Sequence, residues 1–126
     1  MVDGFRVDHL VGFYRTFVRE RDGRTSFVPA EEPDQRRQGE HLMKLFAACG
    51  SRILAEDLGT VPDFVRESMT TLGIPGMKVL RWERDWEIET KPFRDPRTYP
   101  AASVATTGTH DTESLAEWWD SAVVEE

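Results

Sequence analysis

Residues 52–59 read Arg-Ile-Leu-Ala-Glu-Asp-Leu-Gly. The apolar run Ile53–Ala55 between Gly50 and Gly59 has the length and boundaries of a short buried strand, and it ends in two acids. Just upstream, Leu42, Leu45, Phe46 and Cys49 recur at i, i+3, i+4 and i+7, which predicts a helix with one apolar stripe. Gly50 stands where a helix-terminating glycine belongs. Downstream, Pro62 suits a first helical turn, Val65, Met69 and Leu72 share a face, and Gly73 closes that helix. The centre of the chain therefore reads helix, strand, helix.

The same alternation extends in both directions. Residues 5–10, Phe-Arg-Val-Asp-His-Leu, read as a strand. Residues 12–30 hold two aromatic and β-branched runs around Asp22-Gly23, the signal of a hairpin-like excursion. A polar stretch over residues 31–39 reads as a loop leading into the first helix. Residues 77–83 form a third strand, residues 85–99 a long surface loop, residues 103–111 a fourth strand, and residues 112–119 open a final helix. Strands that alternate with helices imply an α/β fold with parallel strands joined by crossover helices and covered on both faces. No linker divides the chain, so residues 1–126 read as a single domain.

Composition limits the function classes. A formal charge of −7 disfavours nucleic acid and anionic membranes, since phosphate binding needs a basic surface. No apolar run approaches the roughly 20 residues of a membrane-spanning helix, and no signal-peptide pattern is visible. The single cysteine, Cys49, reads as a small buried apolar residue with no internal disulfide partner. The chemistry needs no oxidising compartment, and the expected location is cytoplasmic. His9, His41 and His110 lie on different elements without metal-ligand spacing, so no metal site is expected. There is no Gly-rich phosphate loop and no G-x-S-x-G. Trp82, Trp118 and Trp119 could stack on sugar rings, but core packing is the ordinary role for such residues.

The polar residues are more telling. Three predicted strands end in acid-bearing motifs: Arg6-Val7-Asp8-His9, Ala55-Glu56-Asp57-Leu58-Gly59 and Gly108-Thr109-His110-Asp111. Parallel α/β folds bind ligands beyond the carboxyl ends of their strands, and barrels of this type place the active site there. Like charges gathered at one face oppose stability, so three such motifs form a catalytic pattern. Spacing agrees: an eight-stranded barrel of about 250 residues averages roughly 31 per unit. Glu56 to Trp82 is 26 positions, Trp82 to Asp111 is 29, and Asp8 to Glu56 is 48, one unit enlarged by the excursion. Four strands, about half a barrel, are expected.

Each motif has two readings. Arg6 and Asp8 share a strand face, so the guanidinium keeps the carboxylate ionised, as a nucleophile or as a structural ion pair. Glu56 follows an apolar run, and a carboxyl group against apolar walls holds its proton to higher pH, which suits a general acid. Glu56 could instead cap the next helix. Asp111 or Thr112 could cap the helix that begins with residues 112–119.

The stretches FRVDHLVGF (5–13), ILAEDLG (53–59), GIPGMKVLRWE (73–83) and TGTHDTE (107–113), in this order and spacing, resemble the amylomaltases, the 4-alpha-glucanotransferases of glycoside hydrolase family 77 in the alpha-amylase superfamily. The resemblance runs from about Asp3 to Trp119. It implies a partial (β/α)8 TIM barrel, about strands 4 to 7. By motif, Asp8 matches the catalytic nucleophile, Glu56 the general acid/base, and Asp111 the carboxylate that stabilises the transition state. Arg6 and His110 match residues that hold the nucleophile and the sugar, and His9 and Asp57 match substrate contacts. The implied reaction is retaining transfer of alpha-1,4-glucan segments between maltodextrins through a covalent glucosyl-enzyme, with Asp8 and Glu56 carboxyls about 5–5.5 Å apart. It implies no metal and no organic cofactor.

The pattern departs from the family's at Val11-Gly12, where an arginine-glycine pair is usual, and at Thr112, where asparagine is common. On the family's plan strands one to three and eight are absent. The chain then reads as a fragment that begins inside strand four with Met1 as an internal or artificial start. It is expected to be inactive alone, or nearly so, and to need the remaining half of the barrel. Two other readings stay open: an alpha-glucan hydrolase of the same superfamily, and a non-catalytic half barrel that binds glucan or a partner chain.

Overall fold

A computed structural model describes residues 3–124. Residues up to Gly76 form one compact unit and those from Met77 a second.

The first unit is built on two parallel strands, β1 (Gly4–Val7) and β4 (Arg52–Ala55), in the register Gly4↔Arg52 to Val7↔Ala55. Between them run a short helix α1 (Val11–Tyr14), the antiparallel hairpin β2 (Thr16–Arg19) and β3 (Thr25–Val28), and helix α2 (Glu32–Ala48). Helix α3 (Asp63–Leu72) follows β4. The expected hairpin turns at Asp22-Gly23, where Gly23 N–H donates to Glu20 O and Arg24 N–H donates to the Asp22 carboxylate. Gly73 closes α3 in the left-handed conformation, φ 67°, as read from sequence.

The core gathers side chains from all these layers except the hairpin: Val7, Leu10, Tyr14, Met43, Ile53, Ala55, Val61, Phe64, Val65, Met69 and Ile74. Tyr14 is fully buried and its hydroxyl shares a 2.7 Å hydrogen bond with the Ser68 hydroxyl. Burial is the main cause that raises the Tyr14 hydroxyl above its ordinary pKa. The Tyr14 ring lies directly on α2 at Gly39, where a Cβ would come within 2.2 Å of it.

Three expectations for this unit are corrected. The strand over residues 5–10 stops at Val7, because His9 adopts φ 47° and residues 11–14 wind into α1. The polar stretch 31–39 is helical from Glu32, since Pro33 fits the first turn and Glu32 and Asp34 complement the helix N-terminus. The buried face of α2 is Gln35, Gly39 and Met43, with Leu42 and Phe46 half-buried beside it, whereas Leu45 and Cys49 are exposed. Close seating of Gly39 on Tyr14 rotates the helix away from the Leu45–Cys49 line.

The second unit pairs β5 (Gly76–Val79) with β6 (Ser103–Thr106) and ends in helix α4 (Leu115–Val124). The third expected strand is shorter than its sequence suggested, since residues Leu80–Trp82 coil into a 3-10 turn. Strand β6 likewise stops at Thr106, and Val104 and Ala105 on it are exposed. The stretch 85–99 is the expected surface loop, pinned by a bridge between Arg84 and Phe93 and by a 3-10 turn at Pro96–Thr98. Trp82 and Trp119 are exposed, not core, because the 3-10 turn and the outer face of α4 carry them to the surface.

Candidate functional site

Strands β1 and β4 are parallel, so their carboxyl ends arrive side by side, and the chain's own amides join them. Glu56 N–H donates to Val7 O at 2.9 Å, and Leu10 N–H donates to Glu56 O at 3.1 Å. The Glu56 carboxylate is then held from two directions. His9 N–H donates to Oε2 at 2.7 Å and Leu58 N–H to Oε1 at 2.9 Å. His9 has a left-handed backbone, φ 47°, and Gly12 beneath leaves room for the ring, since a Cβ there would sit 2.9 Å from His9 Cδ2. Neither Glu56 oxygen reaches α3, whose N-cap is Pro62, so the helix-capping alternative for Glu56 is set aside.

Beside it, Arg6 Nη2 meets Asp8 Oδ1 at 2.5 Å. The Asp8 side chain is 71% exposed, so this carboxylate faces solvent with its guanidinium partner at its flank. Asp57 lies on the inner side. It is buried, only 7% exposed, Arg66 Nε is 3.9 Å from its Oδ2, and it rests over Gly76, where a Cβ would meet Oδ1 at 2.6 Å. Arg6, Asp8, His9, Glu56 and Asp57 thus occupy the two neighbouring strand ends of the first unit.

The other two sequence-predicted residues stand in the second unit, on the loop after β6. His110 Nε2 lies 3.2 Å from Asp111 Oδ2, and both side chains are largely exposed. The loop is shaped by threonines: Thr112 Oγ1 donates to Thr109 O and accepts from Thr109 N–H, and Asp111 N–H donates to Thr109 Oγ1. Neither Asp111 nor Thr112 caps α4, a correction to the sequence reading. Ser114 does so, in a reciprocal arrangement: Glu117 N–H donates to Ser114 Oγ, and Ser114 N–H donates to the Glu117 carboxylate.

Sequence reasoning missed Arg81. Its guanidinium is buried and donates to Thr107 O and to both the carboxylate and the carbonyl of Glu113, the residues that bracket the His110–Asp111 loop. An arginine two residues before the end of the predicted strand 77–83 was the available signal. Among the described residues no cluster of three His, Cys, Asp or Glu has a metal-binding arrangement, and no helix is long and apolar enough to cross a membrane.

Known proteins extend the comparison. The family model described as 4-alpha-glucanotransferase, glycoside hydrolase family 77, matches residues 1–126. A 4-alpha-glucanotransferase of Chlamydia pneumoniae is 36% identical over 118 residues, which is 91% of this chain and 22% of that protein. One from Thermus thermophilus is 41% identical over 129 residues, 96% of this chain and 24% of that protein. Among solved structures, the amylomaltase from Streptococcus agalactiae in complex with acarbose aligns with a TM-score of 0.64 at 26% identity, over 98% of this chain and 24% of that one. The chain therefore spans about a fifth to a quarter of the length of the relatives it matches.

Proposed function

Because the chain belongs to the 4-alpha-glucanotransferase family, we propose that it is the portion of such an enzyme that carries the reacting carboxylates, acting on maltodextrins. In this reading residues 1–126 are one piece of a catalytic (β/α)8 barrel, its strands four to seven, and the remaining barrel is required for turnover. The observation that carries the reading is the 2.7 Å bond from His9 N–H to the Glu56 carboxylate. It ties the residue after one predicted reacting acid to the other.

Asp8 is the nucleophile. Its carboxylate attacks the anomeric carbon, and the bond from that carbon to the glycosidic oxygen breaks while Glu56 gives that oxygen its proton. The donor glucan is then esterified to Asp8 and the leaving chain departs. Glu56, now ionised, takes the proton from the 4-hydroxyl of an acceptor glucan, whose oxygen displaces Asp8 and restores the alpha configuration. Asp111 supports the positive charge that develops on the sugar, and Arg6, His9, Asp57 and His110 orient the nucleophile and the substrate.

The local geometry suits these roles. Arg6 stands against the Asp8 carboxylate at 2.5 Å and fixes its orientation. Glu56 accepts one amide on each oxygen, and a carboxylate has about four lone-pair sites, so sites remain for the proton it must carry. Backbone donors fix the carboxyl orientation.

The test is maltotriose disproportionation by this chain together with the missing barrel segments as a second polypeptide, with products separated by chromatography. Longer maltodextrins are the expected result, with activity lowered at least 100-fold by Glu56→Gln, within the range for losing a general acid/base. Release of glucose and maltose alone would assign a hydrolase. No turnover by a demonstrably folded assembly would remove the catalytic roles.

A further inference from the structure

We propose that Arg81 is a positioning residue for the His110–Asp111 pair, a buried guanidinium clamp that closes the two ends of the loop carrying it. The functional half of this inference rests on the proposed role of Asp111; the clamp itself does not.

Arg81 sits in the 3-10 turn after β5, and its side chain is only 5% exposed. A buried charge is costly unless it is paired and hydrogen-bonded. Here Nε donates to Thr107 O at 2.9 Å, Nη1 to Glu113 Oε1 at 2.6 Å and Nη2 to Glu113 O at 3.2 Å. The guanidinium also lies 4.9 Å from the ring centroid of Trp118, the distance of a cation–π contact. The acceptors are informative because of where they stand. Thr107 precedes the Gly-Thr-His-Asp turn and Glu113 follows it, so one rigid planar group sets the separation of the loop's two feet.

Inside those feet, the Thr109–Thr112 bonds set the local turn. The assembly is closely packed at Gly108, where a Cβ would come within 2.4 Å of Thr112 Oγ1 and 3.0 Å of Arg81 Nη2. His110 and Asp111 project outward from this frame with side chains 69% and 78% exposed. The clamp is buried while the pair it serves is exposed, so it acts through the two loop feet it holds. Lysine would not replace it: a single ammonium lacks the planar fork that reaches three acceptors on two segments while stacking on an indole.

The test compares wild type with Arg81→Lys and Arg81→Gly. In the 126-residue chain, amide hydrogen exchange is followed at residues 108–112. Exchange there is expected to accelerate at least tenfold in both variants while the amides of residues 3–76 are unchanged. In the complemented enzyme, kcat for maltotriose disproportionation is expected to fall about 100-fold with KM within about twofold, the size of effect produced by slight misplacement of a reacting group. Free guanidinium at low millimolar concentration should restore kcat in Arg81→Gly and leave Arg81→Lys unchanged, a response that general unfolding does not give. Unaltered exchange at 108–112, or wild-type kcat in Arg81→Lys, would overturn the clamp. Should Arg81→Gly not fold, Arg81→Lys decides by the same two readouts. A wild-type assembly without turnover would refute the proposed function, and the exchange data would still decide the clamp.

Discussion

Glu56 and the Asp111 loop are both held in place, but by different parts of the polypeptide. Around Glu56 the donors are backbone amides, those of His9 and Leu58, carried on the ends of two hydrogen-bonded parallel strands. Around Asp111 most ties come from side chains, those of Arg81, Thr109 and Thr112, beside one backbone bond from Thr112 N–H to Thr109 O. The packing behind them differs as well. The described hydrophobic residues that are fully or nearly buried belong to the first unit, apart from Met77 and Val79. A backbone donor survives almost any substitution at its own residue, provided the strands stay where they are. A side-chain tie is lost with one residue. The first region should therefore fail through its core and the second through single polar contacts.

The largest effect should come from the core. In Gly39→Ala the new Cβ would stand 2.2 Å from the Tyr14 ring, and that ring has little freedom because it is fully buried, bonded to Ser68 and packed edge-on against Phe64. Overpacking of this kind costs about 3 kcal/mol, measured as a lowered denaturant midpoint of the whole chain. The amides of His9 and Leu58 should lose exchange protection in the same variant, since α1, which Tyr14 ends, follows directly on the His9 turn. A cost below about 1 kcal/mol would mean that the first region does not depend on its core in this way.

A smaller change sharpens the same contrast. Gly76→Ala places a methyl 2.6 Å from Asp57 Oδ1 and 2.9 Å from Oδ2, so the buried carboxylate must shift. A carboxylate end moves more readily than a packed ring, and the expected cost is about 1–2 kcal/mol. Because Glu56 is held by amides and not by Asp57, its two donors should keep their exchange protection. Loosening of the His9 amide here would show that the neighbouring carboxylates are mechanically coupled.

How far the sequence revealed this arrangement follows from what kind of interaction each part uses. The parallel pairing of Gly4–Val7 with Arg52–Ala55 follows from short apolar runs separated by a long crossover. The Asp22-Gly23 turn and the Gly73 helix end follow from local backbone chemistry. The α2 face did not, because the stripe Leu42, Leu45, Phe46, Cys49 is as good a helical pattern as the one observed; only the distant Tyr14 ring selects the face that contains Gly39. The carboxylates Asp8, Glu56 and Asp111 were legible as candidates from strand-end position. Their supports were not. The His9 amide sits on a left-handed backbone that no histidine advertises, and the acceptors of Arg81 lie 26 and 32 residues away.

The mildest test belongs to the second region and turns on pH. Ser114 and Glu117 have the S-x-x-E spacing of a capping box, a readable signal that the nearby candidates Asp111 and Thr112 obscured. Hydrogen bonds from the Ser114 hydroxyl and amide hold the Glu117 carboxyl below its ordinary value of 4.5. A carboxyl whose folded pKa is depressed contributes stability that is fully present above its unfolded pKa and is lost as pH falls through the folded value. Removing the hydroxyl in Ser114→Ala should cost about 1 kcal/mol at neutral pH, as for other N-cap serines. The gap in Tm between wild type and variant should then narrow as pH falls below 4.5, because protonation of Glu117 weakens the same contact in the wild type. A gap that stays constant from pH 7 to pH 3 would mean that the serine caps α4 without help from Glu117. The second region's dependence on paired side chains would then be confined to Arg81 and the threonines.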